Sequence, residues 1–113
     1  MEQPSTVESA IHLMCTGEAK EITVAYRSLM LLFTRVKPGE QLSASVPAIE
    51  ELMAGLRSEN IAVRRHVAGT IPLLKIDRVL EHLQRAVEAE PDDQIRSMLR
   101  TGIFICSHGR QAQ

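Results

Sequence analysis

The chain has 113 residues, 44% of them apolar and 24% charged, with a net charge of −1 at neutral pH. That length bounds one domain with a modest core, and the near-neutral balance excludes a bulk electrostatic pull toward nucleic acid or a membrane surface. Aromatic residues are only 3% (Tyr26, Phe33 and Phe104, with no Trp), so the core must be built from Leu, Ile, Val, Ala and Met, a palette that suits helices.

Taken in chain order, Ser5 with Glu8 has the pattern of a capping box. Behind it, Val7, Ala10, Ile11 and Met14 fall at helical spacing, and Gly17 supplies the stop. A second helix is expected from Glu18 to Val36. It is apolar at Ile22, Ala25, Tyr26, Leu29, Met30, Leu32 and Phe33, with Val24 and Leu31 off that stripe, as in a centrally placed helix. Lys37-Pro38-Gly39 ends it. Gln41 to Ser45 reads as a polar connector with Ser43 and Ser45 as caps, and Pro47 is tolerated only in the first turn of the next helix. That third helix turns Ile49, Leu52, Met53 and Leu56 to one face, and Ser58-Glu59-Asn60 closes it.

The fourth helix points Val63, Val67, Ile71 and Leu74 inward, and Pro72 should end or kink it. A fifth is expected from Ile76 to Glu90, with Ile76, Val79, Leu80, Leu83 and Val87 inward and Pro91-Asp92-Asp93 as the break. A sixth follows, capped by an Asp, with Ile95, Met98, Leu99, Gly102, Ile103 and Cys106 inward. The polar run from Ser107 reads as a frayed tail, placing a single domain over residues 1–107 and a flexible segment over 108–113. No useful strand-like alternation occurs. The expectation is an all-α chain of about six helices in three antiparallel pairs, near 6–36, 46–73 and 76–107.

The N-terminal MEQPSTVES lacks a basic region followed by an apolar run, so no signal peptide is visible. No stretch approaches the roughly 18 apolar residues of a membrane span. Cys15 and Cys106 then read as free thiols of a cytoplasmic protein.

The third and fourth helices recur in the fifth and sixth. Asn60-Ile61-Ala62-Val63-Arg64 aligns with Asp92-Asp93-Gln94-Ile95-Arg96 at an offset of 32 residues, and Val67 and Ile71 then fall on Leu99 and Ile103. The preceding helices match more loosely, Leu52 and Leu56 against Leu83 and Val87, and residues 7–36 form a degenerate third copy. A period near thirty marks stacked helical repeats, whose pairs bury both faces only by stacking on neighbours.

The pattern of Pro47, Leu52, Leu56, Asn60, Val63, Arg64 and Ala68 resembles the HEAT repeat, in particular the short HEAT-like repeats of the phycobilisome-lyase type. The match covers Val46–Leu74 well and Asp77–Cys106 less well. Arg100 and Thr101 stand where the family has small residues. The resemblance implies a short right-handed α-α superhelix. It also implies that Asn60, Arg64, Asp92 and Arg96 bridge neighbouring repeats, and that the second helices line the partner-binding face.

Charge divides unevenly: residues 1–62 carry 5 basic and 8 acidic side chains, and residues 63–113 carry 8 and 6. Arg64, Arg65, Arg96 and Arg100 lie on the fourth and sixth helices and are the candidate contacts to a protein partner, against a bland alternative of solvated charges and inter-repeat bonds. Nucleic acid is disfavoured by a pI near 6.4 and the scarcity of stacking aromatics. His12, Cys15, Cys106 and His108 have no compact zinc spacing and are read as core or surface residues, so no metal or cofactor is expected. Adjacent acids at Glu50-Glu51 and Asp92-Asp93 suit helix starts. No nucleophile, zinc-hydrolase or phosphate-loop motif occurs.

The expected function is therefore a small non-catalytic adaptor or inhibitor docking a protein through its second helices. The alternative is a structural protein or subunit that self-associates, as a homodimer for instance, through the apolar run Ile103-Phe104-Ile105.

Overall fold

The computed structural model describes residues 4–75 and 80–109, the side chains of residues 108 and 109 excepted. It is all-α. The first pair is α1 (Val7–Thr16) and α2 (Ala19–Phe33), the second α3 (Val46–Gly55) and α4 (Ile61–Thr70), and the third α5 (Leu80–Ala89) and α6 (Asp93–Gly109). Each start is set by local chemistry. Ser45 Oγ accepts the Ala48 N–H (3.3 Å), Asn60 Oδ1 the Ala62 N–H (2.9 Å) and Asp92 Oδ1 the Ile95 N–H (3.0 Å). Pro47 sits in the first turn of α3, where its missing N–H costs nothing.

Packing builds two layers. α1 lies against α2 and α3, α2 against α4, and α4 against α3 and α6, while α5 packs on α6. Ile11, Met14, Ile22, Leu29, Leu52, Val67, Ile71, Leu83, Ile95 and Leu99 are fully or almost fully buried where these elements meet. Each such aliphatic side chain contributes about 1.5–3 kcal/mol over its exposed state. Gly55 allows α3 to approach both its partner α4 and α1 of the first pair: a Cβ there would stand 2.9 Å from Val67 Cγ2 and 3.1 Å from Cys15 Sγ. One neighbouring contact is missing from this scheme. α3 and α5, the first helices of consecutive pairs, do not pack on each other as α1 and α3 do.

Several boundaries move from their sequence expectation. The cap of α1 is Thr6, paired reciprocally with Ser9, and not Ser5 with Glu8. Glu8 instead reaches across, its Oε2 accepting the Ser45 N–H at 3.1 Å. α2 stops at Phe33, three residues short of Val36, in turns where Arg35 and Val36 bond back to Leu32 and Phe33. It is also less central than its composition implies, with Met30 38% and Leu31 53% exposed. Pro72 ends α4 at Thr70 and sits within a 3-10 turn, Ile71–Leu73.

The connector is not simply polar surface. Leu42 is buried and forms an isolated parallel bridge with Leu74, and Gln41 Nε2 donates to the Pro72 carbonyl at 2.7 Å. α6 runs on to Gly109, so residues 107–109 are helical where a tail was expected; nothing before Gly109 breaks a helix, and polarity alone does not. The expected inward positions Ile76 and Val79, and the tail from residue 110, lie outside the described residues.

Candidate functional site

The missing α3/α5 contact leaves a groove of about 660 Å³. Its walls have a helical origin. α3 contributes Glu50, Met53 and Ala54, the turn that follows it contributes Arg57, and α5 contributes His82, Arg85, Ala86 and Ala89. The α5 set follows the spacing i, i+3, i+4, i+7, which places four side chains along one helix face; Glu50, Met53 and Ala54 repeat its first three positions on α3, and Arg57 follows in the turn. The two sets are also related by the 32-residue offset of the repeat, with alanine conserved between Ala54 and Ala86. Short side chains at Ala54, Ala86 and Ala89 keep the space open.

The floor is charged but closed. Arg64 points from α4 beneath the groove, Nε donating to Glu90 Oε1 at 3.0 Å and Nη2 to Oε2 at 3.4 Å. Its Nη1 donates to the Ser58 carbonyl at 2.8 Å. The side chains are only 16% and 4% exposed. Glu90 Oε2 also accepts the Asp92 N–H at 3.1 Å. One guanidinium thus ties the α3–α4 turn to the α5–α6 turn. Among the described residues, no buried side-chain nitrogen or oxygen lacks a partner.

The four candidate arginines separate. Arg64 is spent in this clasp, turned away from the exposed Arg65 beside it. Arg96 pairs with Asp93 within α6. Asn60 and Asp92 cap their own helices, and neither side chain bridges to another repeat among the described residues. Arg65 and Arg100 are exposed on the second-helix layer. Arg65 borders a recess of about 190 Å³ with Tyr26, His66, Gly69 and Met98, where the Tyr26 and His66 rings meet edge-on at 5.4 Å. On α6, Ile103 turns toward the core while Phe104 and Ile105 stay 61% and 39% exposed. Periodicity does not reveal the groove, because Met53 and Leu56 read as core on the apolar stripe of α3 while Glu50, Ala54 and Arg57 lie off it; the repeated Ala54/Ala86 pair is the signal that could have found it.

The two cysteines occupy different seams. Cys15 Sγ faces the Glu51 carbonyl at 3.7 Å, between α1 and α3, and Cys106 Sγ faces the Ile71 carbonyl at 3.9 Å. Both are free thiols. His12, beside Cys15, pairs with the Glu51 carboxylate at 2.7 Å. Among the described residues no three His, Cys, Asp or Glu side chains converge as metal ligands, and no helix is long and apolar enough to cross a membrane. Burial, then the Glu51 charge, pushes the Cys15 thiol up to about 12, and burial raises Cys106 as well.

Comparison with known proteins finds no matching family model, no similar curated protein and no similar solved structure. The site is therefore read from its own residues.

Two expectations follow from this geometry. Replacing Arg64 by Met strands the buried Glu90 carboxylate, and losing one partner of such a pair costs about 3–5 kcal/mol. Arg64 keeps some exposure, so Arg64→Met should lose about 3 kcal/mol in urea unfolding. Arg64→Met with Glu90→Leu should recover more than half of that loss. The second concerns pH. An unfolded Cys15 thiol ionises near its ordinary 9.0 while the folded thiol stays protonated to about 12, so stability falls as pH rises through that window. Cys15→Ser should flatten the decline in unfolding midpoint between those pH values.

Proposed function

We propose that the chain is a small non-catalytic protein-binding module of HEAT-like build, an adaptor or inhibitor. The observation that carries this reading is the groove between α3 and α5, a concave surface with partly apolar walls where a regular stack would have helix against helix. Stacked helical repeats expose extended concave surfaces of this sort to partners. The second-helix layer is a further candidate face through the exposed Arg65 and Arg100.

A self-associating role is supported by one separate observation, the exposure of Phe104 and Ile105 near the end of α6. In that reading Phe104→Ser with Ile105→Ser converts a concentration-dependent dimer to a monomer in sedimentation equilibrium. An unchanged mass, monomeric at every concentration, would remove it.

The binding role is tested by affinity capture from the native extract, with and without nuclease. The wild-type chain is run beside Arg57→Glu/Arg85→Glu and Arg65→Glu/Arg100→Glu. A stoichiometric protein, insensitive to nuclease and lost in one of the two variants, is the expected result, and the variant that loses it names the face. Capture of the chain alone would contradict the module.

A further inference from the structure

We propose that the α3/α5 groove takes an acidic amphipathic α-helix of a partner protein, apolar side chains inward and carboxylates toward Arg57 and Arg85. The inference rests on the protein-binding reading and names the occupant of that site.

Charge selects an acidic occupant. Arg57, in the turn after α3, and Arg85, on α5, stand on opposite walls, both exposed, and neither side chain has a hydrogen-bond or ion-pair partner among the described residues. The third arginine of the lining, Arg64, is already neutralised by Glu90. Glu50 is then the one carboxylate of the lining without a partner among the described residues, set against two open guanidinium groups. Guanidinium groups favour carboxylates through paired N–H donors.

Apolar chemistry selects a partner with an inserting face. Met53, Ala54, Leu56, Ala86 and Ala89 offer aliphatic surface, and the lining holds no Phe, Tyr or Trp ring on which a nucleobase could stack, His82 being its one ring side chain able to do so.

Backbone chemistry selects a helix. The N–H and C=O groups of α3 and α5 are used within those helices. The single extended pairing among the described residues, Leu42 with Leu74, is not part of the lining. A partner strand would find no edge to pair with and would lose its own backbone hydrogen bonds to water on entering. A helix brings those bonds with it and presents side chains at i, i+3, i+4 and i+7, the spacing of the α5 wall.

The test pans an unbiased library of 16-residue peptides on the full chain. The recovered peptides are then measured by fluorescence anisotropy. Expected are peptides with Leu-like residues at helical period and Asp or Glu on the flanks, helical when bound. Their affinity should fall about tenfold in Arg57→Glu/Arg85→Glu, since two partly exposed ion pairs become repulsive. It should also fall with rising ionic strength. Ala54→Trp, which fills the groove without touching charge, should weaken them as much. Circular dichroism of each variant checks that the fold is kept.

Recovered peptides that are basic or lack helical period would overturn the proposal, as would undiminished binding to both variants. Peptides lost only in Arg65→Glu/Arg100→Glu would overturn the groove assignment and leave the protein-binding reading standing. No recovered peptide overturns the helical occupant, and with empty capture from the native extract the module falls too.

Discussion

The arrangement depends on one buried ion pair. Arg64 and Glu90 come from consecutive helix pairs, and the same guanidinium holds the Ser58 carbonyl of the α3–α4 turn. Among the described residues α5 packs chiefly on α6 and not closely on α3, so the third pair meets the second through the seam of α6 against α4 and the Ile71–Leu73 turn, and through this clasp. The seam supplies the area, with Ile71 close to Gly102 and Met98 close to Gly69. The clasp supplies direction, because a guanidinium donates its N–H groups in its own plane. Apolar residues in its place could stabilise as well but would define the angle of the third pair less sharply.

That geometry has a consequence for surface chemistry. A charge at the floor of a groove would ordinarily dictate what enters it. Here Glu90 cancels it, and the open charges are left at the rim, on Arg57 and Arg85. The alanines at 54, 86 and 89 keep the space between the walls. Floor neutral, walls small and rim basic is a surface that selects by side-chain packing first and by charge second. The second-helix layer is different. It is flatter, its recess is smaller, and its exposed Arg65 and Arg100 stand on neighbouring helices without a comparable hollow.

Much of the fold was legible in the sequence, because helical period and breakers act locally. Pro38-Gly39, Ser58-Glu59-Asn60 and Pro91-Asp92 each mark a real interruption, and Leu52, Val63, Val67, Ile71, Ile95, Leu99 and Cys106 are buried as their spacing implied. The misreadings are of a different kind. Ser5 and Thr6 are both good caps, and only the register of the helix chooses between them. Leu42 looked like part of a polar loop because its partner, Leu74, lies 32 residues away. Met30 and Leu31 lie on a helix rich in apolar residues, yet no neighbouring element covers them.

The site was less legible for a physical reason. Arg64 and Arg65 are adjacent in sequence and chemically alike, and their position on the fourth helix makes both candidate partner contacts; only the HEAT resemblance set Arg64 apart as a bridge between repeats. On a helix they point about 100° apart, and only Arg64 meets a carboxylate. The groove is an absence of packing between two helices, and no residue type announces an absence. Its trace in the sequence is the repeated small residue, Ala54 and Ala86, on faces that carry charge rather than apolar side chains.

The central claim, that the Arg64–Glu90 clasp holds α5 at a fixed distance from α3, is tested most directly by spin-label distances between positions 54 and 89. The labels are carried on unnatural amino acids so that Cys15 and Cys106 stay in place. The account predicts a single narrow distance distribution in the parent chain and a broad one in Arg64→Met, with helix content unchanged. A distribution equally narrow in both would contradict it and assign the groove to the α4/α6 seam alone.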